Sequence, residues 1–412
     1  MKTHGNRSVQ TAVLLLVCIL VFSLTVFFFG CAGSRAGDRD VPGVPGTYPG
    51  ITGRTDIPPG SNDTAVPSPV KSSWLRGDLH CHTTHSDGDS GVAEVIARAE
   101  GAGLDFLAIT DHDTSMAGKP SHWYDPAFRS ERLILLYGVE WTSAKGHGNV
   151  FASAPFAYAP LWKANRECDA EAAVEAAHRQ GAYFSINHPK GMAGSWQYVG
   201  LCGADFIEIW NAPFYLPSRN RLAIEDFWQE KLYEGSRIPA VGGSDNHQLK
   251  GYQRNINPHG HPATWVFAEE PTPAGILGGM KAGHVTISAG PETGRLELAA
   301  DTDGDGVFET MMGDAVHTGK RVTLKISFIR SQGEEPFKSW ETYDAVIFKN
   351  GRPFLKSALR PARKPWVTVT DLPEEPGFYR AELYGTPRGA PAAKALMGET
   401  LAVTNPIYIG NR

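Results

Sequence analysis

The feature that most constrains the fold is a recurring cadence: a short apolar run of strand-like composition that ends in polar, ligand-type residues. From Trp74 to about residue 250 the runs are "LRGDLHCH", "DFLAITDHD", "LILLYGVEW", "HGNVFASA", "AYFSINHP", "DFIEIWN" and "IPAVGGSDNH". Helical periodicity lies between several of them: "GVAEVIARAEGAG", apolar at 92, 95, 96 and 99; "DAEAAVEAAHRQG"; and "RLAIEDFWQEKLYEG", apolar at 222, 224, 227, 228 and 232. The first two end in glycine, as a helix C-terminus does. Strand, helix, strand repetition predicts an α/β fold of largely parallel strands with helices outside, and seven strands predict a closed or nearly closed, distorted barrel.

In such a barrel the functional side chains gather at the carboxyl ends of the strands. His80, His82, His112, Glu140, His188, Asp245 and His247 fall there. Only six residues separate Glu140 from His147, too few for a helical crossover, so these two strands should form a hairpin that brings His147 to the same mouth. Along a strand, neighbouring side chains point to opposite faces, so His80 and His82 share one face and Cys81 takes the other, as a core residue.

The tail from residue 291 reads differently. "GRLELAA", "RVTLKISFIR", "DAVIFKNG", "WVTVTDL", "GFYRAELYG" and "LAVTNPIYIG" alternate apolar with polar and are joined by Gly, Pro and Asp turns. They predict a smaller all-β sandwich domain over 291–412, after a barrel over 73–290.

The N-terminal region carries an address. A basic start precedes the uncharged run Thr11–Gly30, as in a secretory signal or a membrane anchor. Gly30-Cys31-Ala32 resembles a bacterial lipobox, in which Cys31 becomes the lipidated first residue after residues 1–31 are processed; Phe28 and Phe29 depart from that pattern, and an uncleaved anchor or plain secretion are the alternatives. All three place the bulk outside the cytoplasm, and a lipidated Cys31 or an N-terminal anchor makes the membrane a partner. Residues 32–72, rich in Gly, Pro, Ser and Asp, have no apolar periodicity and form a tether. The net charge of −5, with no Lys/Arg run longer than two, excludes the electrostatic footprint that duplex nucleic acid requires.

Three of the 14 histidines fall within "DLHCHTTHSDG", Asp78 to Gly88. Two imidazoles on one face, with Asp87 on the following loop, form a compact nitrogen and oxygen set suited to Zn²⁺, Mn²⁺ or Fe²⁺. One H-x-H pair alone is equally a pair of hydrogen-bonded surface histidines. Here it is followed by "TDHD", "GVE", "GH", "NHP" and "GSDNH", each at a strand boundary.

Taken in order over residues 74–290, these motifs resemble those of the PHP (polymerase and histidinol phosphatase) domain, and "FIEIWN", "PATWVFA" and "GGMKAGHVTISAGP" resemble its carbaryl-hydrolase-like CehA/McbA branch. The resemblance implies two or three divalent ions: His80, His82, Glu140 and Asp245 at the first, Glu140 with His147 and His188 at the second, and Asp87, His112 and His247 at the third. His85 matches no ligand position and reads as a loop residue beside the site. The resemblance further implies a hydrolase that works through a hydroxide held between metal ions, with no side-chain nucleophile. Small phosphate esters, nucleotides or short oligonucleotides are then the expected substrates, with Lys190 and Arg254 placed to bind phosphate oxygens or else ordinary surface charges. Hydrolysis of a carbamate, ester or amide at the same ions is the alternative, and a non-catalytic glycan-binding lipoprotein with structural metal is a third reading. In "DTDGDGVFE", Asp301, Asp303 and Asp305 alternate as in a calcium loop, but Met312 stands at the twelfth position, so a calcium-stabilised hairpin or a plain Asp-Gly turn is expected in place of an EF-hand. His259 and His261 read as loop residues.

Overall fold

The computed structural model describes residues 72–410, except 192–193, 212–216, 252–257, 331–337, 339–340 and 386–399. Arg254, Cys31, the signal segment and the tether therefore lie outside the described residues.

Strand β1 (Ser73–Asp78) runs parallel to β2 (Phe106–Ile109), and β2 to β3 (Ile134–Ser143). β3 returns as the antiparallel β4 (Gly146–Ala152), with Glu140 opposite Asn149 and Thr142 opposite His147. This is the hairpin that the short Glu140 to His147 spacing requires. β4 pairs antiparallel with β5 (Tyr183–Ile186); β5, β6 (Phe206–Asn211) and β7 (Ala240–Gly243) then run parallel.

The path comes back to its start at the mouth. Asp245 N donates to His80 O at 2.7 Å and His82 N to Asn246 O at 2.9 Å, around a parallel bridge between Cys81 and Asn246. Two strands beyond the expected seven, β8 (Ala263–Ala268) and β9 (Val285–Ser288), extend the sheet antiparallel from the other edge of β1.

Helix α1 (Val92–Gly101) buries Val92, Val95, Ile96 and Ala99, the four positions its periodicity marks, and Gly103 turns the chain at φ +72°. α2 (Ala159–Glu167) leads into α3 (Ala170–Arg179), which Asp169 caps by accepting from Ala172 N at 2.9 Å. The third periodic segment is α4 (Pro217–Ala223), a π-turn (Ile224–Trp228) and α5 (Gln229–Tyr233). Ile224, Phe227, Trp228 and Leu232 are buried, but Leu222 is exposed. Residues two apart stand about 200° from each other on a helix, so Leu222 and Ile224 cannot both face the core. α6 (Pro273–Ala282) connects β8 to β9.

The tail consists of β10 (Arg295–Asp301), β11 (Thr310–Met311), β12 (Ala315–Val316), β13 (Val322–Ile329), β14 (Tyr343–Lys349), β15 (Arg352–Leu359), β16 (Trp366–Asp371), β17 (Gly377–Tyr384), β18 (Thr400–Thr404) and β19 (Ile407–Ile409). β11, β10, β13 and β16 form one sheet. Leu298, Leu324 and Ile326 from that sheet pack against Ala345, Ile347, Tyr379 and Leu383 of β14 and β17. β18 pairs antiparallel with β9, so the other tail strands continue the large sheet across residue 290.

Candidate metal centre

The nine candidate ligands meet at the mouth formed by the carboxyl ends of β1, β2, β3, β5 and β7 and the start of β4. His80 and His82 lie just past β1 and are fully buried, whereas Cys81 turns into the core and directs its thiol to Ala108 O at 3.5 Å. Glu140 occupies the centre. Its Oε1 stands 3.5 Å from His80 Nε2, 3.2 Å from His147 Nδ1 and 3.4 Å from His188 Nε2; its Oε2 stands 3.6 Å from His82 Nε2 and 2.8 Å from His112 Nδ1. Asp245 Oδ1 is 3.3 Å from His80 Nε2 and 3.1 Å from His82 Nε2. On the outer side Asp87 reaches His112 Nε2 at 3.6 Å, His247 Nε2 at 3.4 Å and His82 Nδ1 at 3.7 Å.

These separations fit a metal polyhedron. Four nitrogen or oxygen ligands at 2.0–2.1 Å from one ion stand about 3.3 Å apart. His80 Nε2 and Glu140 Oε2, both buried, have no hydrogen-bond partner among the described residues. Left to themselves such atoms carry an unmet desolvation cost, which a cation would offset. Potential ligand atoms fall into overlapping groups: His80, His82 and Glu140; His112, Glu140 and His147; and His82, Asp87, His112 and His247. His82 and His112 thus belong to two groups each, where the motifs assigned each of them to one ion.

The electrostatics show how strongly the two residue types are coupled. Burial disfavours the carboxylate form of Glu140, yet His112, His80 and His147 hold it far below the ordinary range. Asp245 is likewise held far below its ordinary value, against burial, by His80, His82 and His247. Burial pulls the His80 ring down, but Asp245, Glu208 and Glu140 raise it well above its usual value. His82 goes the other way, to about 4, through burial and then through His247 and His112.

Backbone geometry serves the same convergence. His188 and Asp245 have φ of +27° and +50°, a left-handed conformation that non-glycine residues adopt at a cost of order 1 kcal/mol or more. A Cβ on Gly243 would lie 2.4 Å from His80 Cβ, and one on Gly194 2.7 Å from the His147 ring. Only bare backbone fits behind these two ligands.

The motif reading missed the groups that hold the ligands in place. Glu208, the one acidic residue in "FIEIWN", lies 2.9 Å from His80 Nδ1. Asn187 Nδ2 donates to Glu140 Oε1, and Asn211 Nδ2 to Asp245 Oδ2 at 3.3 Å. Asp111 accepts from Thr83 N, Thr83 Oγ1 and Ser86 Oγ, fixing the loop between His82 and Asp87. Asp78 accepts from His80 N and Ser244 N through Oδ1 and from Gly260 N through Oδ2, with His259 Nδ1 at 3.3 Å. A lone carboxylate inside an otherwise apolar strand was the available signal for Glu208.

Several expectations need adjustment. His259 and His261 are loop residues, as expected, but they are buried against Asp78 and Glu292. His85 sits between Ser121 Oγ at 2.7 Å and Asp125 Oδ2 at 3.1 Å. Lys190 Nζ lies over the Phe227 ring, 5.6 Å from its centroid. Asp301, Asp303 and Asp305 do cluster, but both Asp301 oxygens already accept backbone N–H groups, from Gly304 and Gly306.

Parts of the chain are similar to known proteins. Over 72 residues the chain is 40% identical to a 5'-3' exoribonuclease of Haemophilus influenzae, a match covering 17% of this chain and 25% of that protein. The chain thus spans about a quarter of that curated relative. Among solved structures it is similar to a two-domain protein of Bacteroides vulgatus described as containing a "predicted PHP-like metal-dependent phosphoesterase", at 18% identity, 85% of this chain, 100% of that one and a TM-score of 0.41. It is also similar to an amidohydrolase of Chromobacterium violaceum with bound sulfate and no metal, at 17% identity, 44% of this chain, 90% of that one and a TM-score of 0.30. Residues 78–192 match the family model of the PHP domain.

Proposed function

We propose that the chain is a metal-dependent hydrolase of the PHP type, a phosphoesterase acting on small phosphate esters, nucleotides or short oligonucleotides, on the CehA/McbA branch. The observation that carries this reading is the convergence of Glu140 and eight further imidazole and carboxylate side chains, with His80 Nε2 buried and without a hydrogen-bond partner among the described residues. A closed structural zinc site needs only four ligands, so a purely structural metal in a glycan-binding protein leaves most of this set without a purpose. His80, His82, Asp245 and Glu140 would hold a first ion, Glu140, His147 and His188 a second, and Asp87, His112 and His247 a third. Bound zinc, manganese or iron would supply a water made nucleophilic at neutral pH and offset charge on the oxygen under attack. The chain's own part is to hold Glu140 at the centre through Asn187, to keep the imidazole lone pairs aimed inward, and to bury the inner ligands away from bulk water. Lys190, two residues after His188, and Arg254 would bind phosphate oxygens.

Cleavage assays on phosphate mono- and diesters beside neutral aryl carbamates and esters test the substrate class. For a phosphoesterase, Lys190→Ala or Arg254→Ala should raise KM for a phosphoester about ten-fold and leave a neutral ester unaffected. Turnover of neutral carbamates alone would remove the phosphoesterase assignment in favour of the carbamate, ester or amide reading.

The chain is further proposed to be held at an extracytoplasmic membrane surface through lipidated Cys31. Cys31→Ser should block processing and leave a larger precursor; unchanged mobility and membrane association would favour an uncleaved anchor. No helix among the described residues is long and apolar enough to cross a membrane.

A further inference from the structure

We infer that Glu208 is a positioning residue that aims three metal ligands from three different strands and fixes which nitrogen of His80 faces the ions. This inference rests on the metal-centre reading above. Glu208 lies on β6, 2% exposed. Its Oε1 is 2.9 Å from His80 Nδ1, the ring nitrogen pointing away from Glu140 and Asp245. Its Oε2 accepts from His188 N at 3.0 Å and from Asn211 Nδ2 at 3.0 Å. Asn211 Nδ2 also donates to Asp245 Oδ2 at 3.3 Å. One carboxylate therefore reaches the ligand after β1 through its ring, the ligand after β5 through its backbone, and the ligand after β7 through an amide.

The chemistry of the partners makes a carboxylate the group required. An ionised carboxylate only accepts, and all three of its neighbours here can donate. When the neutral His80 ring gives its Nδ1–H to Glu208, the lone pair lies on Nε2, the atom that stands buried and unpaired between Glu140 Oε1 and Asp245 Oδ1. Carboxylate support of this kind fixes the tautomer and orientation of a metal-binding imidazole and raises its basicity. Glutamine cannot replace it. Its single acceptor oxygen serves one side, and its amide N–H groups then face either the donors of His188 and Asn211 or His80 Nδ1, where they would impose the opposite tautomer. His188 pays for a left-handed backbone at φ +27° with its N–H held by Glu208. The missing side chain at Gly243 leaves the space this pair needs, since a Cβ there would meet His80 Cβ at 2.4 Å and Glu208 Oε1 at 3.1 Å.

The test uses the full chain, loaded with zinc and carrying nitrogen-labelled histidine. In the wild type, the nitrogen shifts should put the His80 ring proton on Nδ1, as a slowly exchanging resonance far downfield. In Glu208→Gln that resonance should move upfield or vanish, and zinc affinity should fall about 10–100-fold, while the metal-free variant keeps the wild-type circular dichroism. A proton on His80 Nε2 in the wild type would overturn the inference without need of a variant. So would a Glu208→Gln protein whose zinc affinity equals the wild type's. A wild-type chain that binds no zinc, manganese or iron would instead bring down the metal-centre reading itself, and this inference with it.

Discussion

Asn187 Nδ2 donates to Glu140 Oε1 at 3.0 Å, while Asn187 Oδ1 accepts from Asn149 N at 3.1 Å. The side chain thus ties the central carboxylate on β3 to the backbone of β4 from the end of β5. Asn187→Ala leaves the Asn149 N–H buried and unpaired, which should cost about 1–3 kcal/mol in urea denaturation of the metal-free protein. Metal affinity should fall as well, because Glu140 loses its orienting donor. Wild-type values for both quantities would show that Asn187 is a spectator.

Two glycines make opposite predictions for the same change. Gly243→Ala forces a methyl group to within 2.4 Å of His80 Cβ, and overpacking of this kind costs about 1–3 kcal/mol. Gly278→Ala, inside α6, meets nothing within 4 Å and should stabilise by about 0.5–1 kcal/mol through helix propensity. Thermal melts read both. Equal effects would mean that the contact behind His80 is not as tight as described.

Cys81 is flanked by two metal-ligand candidates, yet its thiol is fully buried and turned to Ala108 O. Burial first, and then Asp78, Asp111 and Asp245, push it well above its ordinary range, away from the reactive thiolate. Cys81→Ala should keep hydrolytic activity, and thiol-alkylating reagents should not inhibit the folded protein. Loss of turnover with an intact melting curve would reopen a nucleophilic role.

The His261–Glu292 pair gives a pH signature away from the metal centre. Burial lowers the His261 ring, but Glu292 at 2.9 Å, the His259 carbonyl and Asp78 raise it above 6.5. Glu292, also facing Arg76, is held below 4.5 against burial, chiefly by His261. A histidine raised in the folded state contributes stability that is full below about pH 6.5 and lost as pH rises through the raised value; the glutamate's contribution is full above about 4.5 and lost below. His261→Gln should therefore destabilise most between about pH 4.5 and 6.5 and progressively less at higher pH in denaturant titrations. A penalty independent of pH would assign the residue to packing alone.

What could be read from the sequence follows from how each interaction is encoded. Ligand residues recur at strand ends, so His80, Glu140 and Asp245 announce themselves, and the Glu140 to His147 hairpin follows from spacing. Glu208 did not, because a carboxylate inside a strand shows its partner only once β1 lies beside β7. Asp78 and His259 meet across 181 positions, beyond any local pattern. β8 and β9 were read as motifs and not as strands, since they lie antiparallel, outside the parallel cadence. Leu222 counts among the apolar positions of its helical segment, yet it is exposed, because residues two apart lie on opposite helix faces.

The proposed role of the residues around Glu140 is to hold catalytic metal. It is tested most directly by metal analysis of the purified chain together with phosphodiester hydrolysis before and after chelation and metal return, in the wild type and in Asp245→Ala. The wild-type chain should carry more than one transition-metal ion, and its activity should disappear on chelation and return with zinc, manganese or iron. Asp245→Ala should fold and recover almost none. Wild-type turnover in the chelated protein, or in Asp245→Ala, would contradict this role.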